Sequence, residues 1–325
     1  MKRCAVRRWF AASLLCALLA QCAAAESSRD GVAQAHTALE NGEADKALAL
    51  LGSLPATAET HNLRCRVLLT LERWDAAASE CQEAVRLDGQ SSIDHMWLAR
   101  ALGERASRAS FLSAYGLVKR VRAEFETAVR LDPRNADALA DLGEFYHSAP
   151  GIVGGGVDKA EATAVQLDKV DPARAEQLRG WTAESEKDYG TAEQDLKATI
   201  AKDPHPAFAW MALASFYRRR QRLNDVDAAV ADGMKAARQD PEAGVALYNG
   251  ASVLIRANRN PALAARMLEE YLTSPSKAEE APAFAAYTQL AKLKAQLGDK
   301  AGAAQERASA LALAHDYKPA LDMKF

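Results

Sequence analysis

The stretch Ala136–Pro172, ADALADLGEFYHSAPGIVGGGVDKAEATAVQLDKVDP, decides the fold, because it is the clearest copy of a unit that recurs along the chain. Leu139, Leu142, Gly143 and Tyr146 recur at spacings of three and four, which places them on one face of a helix. Pro150-Gly151 and Gly154-Gly155-Gly156 then interrupt it. Proline removes a helical N–H, and glycine loses more conformational freedom in a helix than any other residue. A second helix follows with Ala160, Ala164 and Leu167 in phase. Asp171-Pro172 closes it, since the residue before a proline is pushed out of helical geometry. Gly143 and Ala160 are small enough to let the two helices of this hairpin approach closely.

With Leu142-Gly143, Tyr146, Ala160 and Pro172 at these positions, the unit resembles the tetratricopeptide repeat, a helix-turn-helix of about 34 residues. Working outward, Trp97, Leu98, Ala99 and Leu102 mark another copy; Gly180, Tyr189, Ala192 and Leu196 a third; Trp210, Leu213, Ala214 and Tyr217 a fourth. Tyr287, Leu290, Ala291, Gly298 and Ala303 mark the last. The expected repeats are 29–59, 60–91, 92–135, 136–172, 173–205, 206–243, 244–282 and 283–318, within a solenoid spanning 26–318, and 319–325 is a short tail. The resemblance implies an all-α solenoid, a right-handed superhelix of about eight hairpins. Its inner surface would be lined by the first helix of each repeat and would bind a protein or peptide there.

Two adjacent repeats depart from the pattern by long turns, at 107–117 and 148–156. Phe111, Leu112, Tyr115 and Leu117 in the first are apolar enough to be buried against something. With Pro150 and Ile152 of the second they are expected to form one cap on the same edge of the stack.

The start reads as an export signal. Lys2, Arg3, Arg7 and Arg8 precede an apolar run from Trp9 to Leu19, and Ala23-Ala24-Ala25 supplies small residues for cleavage before Glu26. The apolar run is too short to span a bilayer. The expected location is therefore periplasmic or secreted, with lipid attachment at Cys22 as the alternative. Removing residues 1–25 takes four positive charges and no acid, which moves the formal charge from −2 to −6 and leaves no bulk attraction for nucleic acid. It also leaves two cysteines, Cys65 and Cys81, about eight residues either side of a turn. In an antiparallel hairpin they lie level. Both a disulfide and two buried thiols fit that placement.

No chemistry-bearing motif emerges. The glycine run 151–156 has no preceding strand, and Val157-Asp158 stands where a nucleotide loop needs lysine and a hydroxyl. Asp137, Asp141, Glu144 and His147 share a helix face, a pattern usual for a solvated surface; there is no Cys-x-x-Cys and no His-Glu-x-x-His. The run Arg218–Arg222 is isolated in an acidic chain. No catalytic, cofactor or metal residue is expected. Transferred by position from the resemblance, the groove candidates are Asn62, Arg66, Arg100, Asp141, Glu144, Trp181, Arg218, Asn249, Arg256 and Lys292. The lysine- and asparagine-rich set with which family members grip a C-terminal carboxylate is not present. The expected function is a non-catalytic exported scaffold or adaptor that holds a protein or peptide near repeats three to five. The second reading is a binding protein for a small apolar ligand, with the two inserted turns as its lid.

Overall fold

The computed structural model describes residues 28–324, and every regular element among them is helical. The expected signal segment and Cys22 lie outside the described residues. No helix of the described residues is long and apolar enough to cross a membrane. The helices pair into eight antiparallel hairpins: α1 (28–40) with α2 (Ala44–Gly52), α3 (Ala58–Thr70) with α4 (Trp74–Leu87), α5 (Ser92–Ala106) with α6 (Phe111–Leu131), and α7 (Ala136–Ser148) with α8 (Val157–Leu167). They continue as α9 (Pro172–Ser185) with α10 (Tyr189–Lys202), α11 (Pro206–Arg219) with α12 (Leu223–Gln239), α13 (Gly244–Arg256) with α14 (Pro261–Thr273), and α15 (Ala283–Gln296) with α16 (Lys300–Leu313). A single turn, α17 (Lys318–Leu321), ends the array. The expected hairpin solenoid is the fold observed.

Local chemistry starts and stops these helices. Thr57 forms a reciprocal capping box with Thr60, Asn135 accepts from the Ala138 amide, and Asp171 accepts from Arg174 with Pro172 in the first helical turn. Five of the eight hairpins turn through one left-handed residue, Gly42, Glu72, Lys187, Gln221 or Gly298, and that of α13 and α14 through two, Asn258 and Asn260. Around Glu72 the Arg73 amide reaches back to the Leu68 carbonyl, and the same bond recurs from Asp188 to Ala183 and from Arg222 to Tyr217. This is the bond that satisfies orphan carbonyls at a helix end.

The third and fourth hairpins turn differently. The stretch 107–117, expected as an inserted turn, is a turn only over 107–110; from Phe111 onward it belongs to α6, which runs 21 residues. Leu117, Val121, Phe125 and Ala128 share one face along it, so the extra residues prolong the helix. Its first turn projects beyond the core: Phe111 and Leu112 are 87% and 85% exposed, against the expectation of burial. The second departure holds a 3₁₀ turn, Gly151–Val153, with Val153 buried. It leans on α6, where Arg122 Nη1 donates to the Val153 carbonyl at 3.4 Å. The second departure thus rests on the flank of α6 at Arg122, beyond the 107–117 stretch.

Gly143 also does something other than expected. A Cβ there would lie 2.2 Å from Leu178 Cδ2 of α9, so the glycine admits the next repeat, not its hairpin partner α8. Cys65 and Cys81 are joined, with Cα atoms 5.3 Å apart and both residues wholly buried between α3 and α4.

The array closes on itself. Phe284 of α15, fully buried, packs in one cluster with Leu39, Leu51 and Val67 of the first two hairpins. A Cβ on Gly42 would lie 2.3 Å from the Ala283 amide nitrogen, so the first turn sits directly on the start of α15. Polar contacts fasten the seam: Arg73 with Asp316, His315 Nδ1 with Asp45 Oδ1 at 2.8 Å, and the Tyr317 hydroxyl donating to Glu72 at 3.2 Å. The donor atoms of Asp45, His315 and Asp316 lie within 4.8 Å of one another, but they are engaged in these seam bonds.

Two stability tests arise from this architecture. Gly143→Ala forces Leu178 aside and is expected to destabilise the protein by about 1–3 kcal/mol in urea unfolding, the usual cost of overpacking. Lys187→Gly relieves a left-handed lysine, and unfolding of that variant should show a gain of about 1 kcal/mol.

Candidate functional site

The concave side of the array faces inward from all directions, and an extended strap, residues 274–282 between α14 and α15, runs into it. The strap is held at both ends. The buried Tyr271 hydroxyl donates to the Ala281 carbonyl, and Ser276 Oγ donates to the Glu242 carbonyl at 2.7 Å. At its centre Arg66 makes a two-pronged pair with Glu279, Nε to Oε2 at 2.9 Å and Nη2 to Oε1 at 2.8 Å. Two cavities of about 650 and 920 Å³ share Tyr248 and the strap's Glu280 in their walls, and a third of about 850 Å³, lined by α1, α3 and α5 with Asn62 among its residues, shares Arg66 with the first.

The smaller cavity is built on successive first helices. Arg66, Arg100 and Glu144 stand eight residues after the first residue of α3, α5 and α7, so the repeat brings them side by side. Arg66 and Arg100 both lie over the indole of Trp97, at 5.1 and 4.5 Å from the ring centroid. Arg100 is forked onto Asp141, Nε to Oδ2 at 2.6 Å and Nη2 to Oδ1 at 3.2 Å. Burial pushes the Asp141 and Glu279 carboxyls up despite their arginine partners. Glu144 is also pushed up, by burial and then by Asp141. Glu144 is nonetheless exposed, on the wall of a cavity that opens to solvent.

The larger cavity is lined by α9, α11 and α13, with Asn249, Ser252 and Arg256 on one wall and Asp171, Arg174, Lys202 and Asp203 on another. Its charges are balanced: Arg174 pairs with Asp137 at 2.7 Å and Lys202 with Glu176, while Arg256, Asp203 and Glu280 have no ion-pair partner among the described residues.

Of the groove residues expected from sequence, Arg66, Arg100, Asp141 and Glu144 therefore converge on the smaller cavity, and Asn249 and Arg256 on the larger. Asn62 is buried, donating to Asp94 Oδ1 at 2.7 Å, and works as a bond between α3 and α5. Trp181 is half-buried against the core, its ring 6.1 Å from His147. Arg218 lines neither cavity, and its buried Nε has no partner. Lys292 is exposed on α15 and also lines neither. The inserted-edge residues Phe111, Tyr115, Pro150 and Ile152 line neither cavity and are exposed, so no closed apolar pocket forms among them. The lidded-ligand reading fails for that reason: α6 carries Phe111 and Tyr115 outward on a straight helix. The residues that sequence reasoning missed are Glu72, Tyr248, Glu279, Glu280 and Tyr317. They enter through the strap and the ring closure, contacts more than 200 residues apart that no periodicity encodes.

No family model and no curated relative matches the chain. Among solved structures it is similar to TTC0263, a thermophilic TPR protein of Thermus thermophilus, at 23% identity over 61% of this chain and 100% of that one, TM-score 0.45. It is similar to PilW, a type IV pilus biogenesis factor, at 17% identity over 69% of this chain and 97% of that one, TM-score 0.41. The APC/C hetero-tetramer Cut9–Hcn1 matches at 11% identity over 89% of this chain and 53% of that one, TM-score 0.41. The tetratricopeptide-type architecture stands on this chain's own eight hairpins.

The raised Glu144 carboxyl has a signed consequence. The folded state holds that proton more tightly than the unfolded chain, so its charged form opposes folding as pH rises through the raised value. Glu144→Gln should unfold at higher temperature than wild type at neutral pH. The gain should vanish once the pH falls below the ordinary carboxylate value of about 4, as followed by circular dichroism.

Proposed function

We propose that the protein is a non-catalytic binding protein of an oxidising, exported compartment, and that it takes a segment of a protein or peptide into its interior. The observation that carries this reading is the smaller cavity. Successive first helices present Arg66, Arg100, Asp141 and Glu144 to one space of about 650 Å³, beside Trp97 and Tyr248. Such walls combine aromatic contact area with fixed polar groups, as binding sites do. The side chains there are forked pairs and aromatic rings, with no nucleophile held against a base. The compartment is supported by the basic and apolar start of the sequence and by the Cys65–Cys81 bond, since such bonds persist where thiols are not kept reduced.

Gly103 offers a clean test. It lines the smaller cavity, and a Cβ there meets open space, so Gly103→Trp fills the site without displacing core. Removing a helical glycine should leave stability equal or about 1 kcal/mol higher. Wild type panned against a randomised peptide library is expected to enrich binders that Gly103→Trp fails to hold. Enrichment that is indifferent to Gly103→Trp would place binding elsewhere and overturn the reading.

A further inference from the structure

The smaller cavity carries unequal charge. Six carboxylates line it, Glu72, Glu104, Asp141, Glu144, Glu279 and Glu280, against two guanidinium groups, Arg66 and Arg100. Both guanidinium groups are consumed by forked pairs, with Glu279 and Asp141. Glu104 is paired with Arg108, at 2.7 Å. Among the described residues no cation pairs with Glu72, Glu144 or Glu280. Glu72 accepts only the Tyr317 hydroxyl. Three carboxylates thus line one concave space, each open to solvent there and free to meet a cation.

The same cavity shows how it holds a cation. Arg66 and Arg100 each lie over Trp97 while a carboxylate takes the edge of the guanidinium. The outer part of the wall repeats some of these ingredients: the half-buried Tyr248 and Glu280 both line it, with no cation over the Tyr248 ring among the described residues, and the Tyr317 hydroxyl meets Glu72, whereas the Trp74 ring is already covered by Arg108 at 4.1 Å. Aromatic faces bordered by carboxylates attract guanidinium and ammonium groups.

Resting on the binding function above, we propose that the smaller cavity recognises a cationic group, a guanidinium or ammonium, through Glu72, Glu144 and Glu280. The group enters beside Tyr248 and adds a third cation to the two the chain supplies itself. Two sources carry that chemistry: an arginine or lysine side chain of a basic peptide, and a free polyamine.

The test uses fluorescence anisotropy with three labelled hexapeptides of one frame carrying two arginines, two glutamines or two glutamates, and spermidine as competitor. The arginine peptide is expected to bind wild type at least tenfold more tightly than the other two. Its affinity should fall at least tenfold in Glu144→Gln/Glu280→Gln and weaken with added salt. Those substitutions are near-isosteric, and circular dichroism checks that the variant is folded. Spermidine displacing the peptide at lower concentration than the unlabelled peptide itself would identify the free polyamine as the source; the reverse identifies the peptide. Equal binding of the three peptides, or arginine-peptide binding unchanged in the double variant, overturns the cation assignment. Library peptides that lack basic residues yet depend on Gly103 would overturn it while leaving the binding function standing. Failure of every peptide, library members included, removes both.

Discussion

The closure of the hairpin array is the constraint on which the rest depends. A stack of helical hairpins leaves an apolar face at each end, because every repeat buries its neighbour's side and the terminal ones have no neighbour. Here the two ends cover each other. Phe284 is wholly buried against Leu39, Leu51 and Val67, and burying such a ring contributes on the order of 1.5–3 kcal/mol. Closure also draws the 274–282 strap inward, where Glu279 meets Arg66 with both side chains nearly inaccessible. A buried pair of this kind adds little net stability, because desolvation offsets most of the attraction. It is strict about geometry, however: losing one partner leaves a stranded charge at a cost of about 3–5 kcal/mol. The pair therefore fixes where the strap lies more than it strengthens the ring.

Two further features hold the first hairpins in the shape that closure needs. The Cys65–Cys81 bond ties α3 to α4, and α3 is the helix that carries Arg66 to the seam. The left-handed turn residue Glu72 stands two residues beyond α3 and accepts from the Tyr317 hydroxyl near the end of the array. That glutamate occupies a conformation costing about 1 kcal/mol relative to glycine. Glycine would ease the turn but lose the carboxylate, so at this turn local strain and a distant contact are exchanged for one another.

The hairpins were legible because helical periodicity is local: Leu139, Leu142 and Tyr146 declare their face within three turns, and Pro172 marks the next start. Positional transfer reached half of the smaller cavity's charged residues, since Arg66, Arg100 and Glu144 occupy one position of the repeat. It failed where a residue's surroundings are set from across the ring. Glu279 and Glu280 sit in a stretch that reads as a polar linker, and nothing in SPSKAEEAP says that it folds inward. The segment 107–117 misled for the opposite reason: its apolar residues suggested burial, but helix continuity through Leu117 and Val121 carries Phe111 and Leu112 past the end of the core. Its helical phase was the better guide than its hydrophobicity.

The strap also changes what kind of recognition the interior supports. An open solenoid groove offers a partner one continuous surface, with side chains from every repeat available in order. With residues 274–282 in place, the interior holds separate chambers, two of which share Tyr248 and Glu280 in their walls. Their chemistry differs: one has an excess of carboxylates over guanidinium groups, while in the other Arg174 and Lys202 are already neutralised by Asp137 and Glu176. Recognition in such an interior is local, decided by what one or two side chains meet in one chamber. On the proposed reading, specificity rests less on the number of repeats engaged than on the charge left unpaired where the strap enters, at Glu280, which with Tyr248 stands in the walls of both chambers.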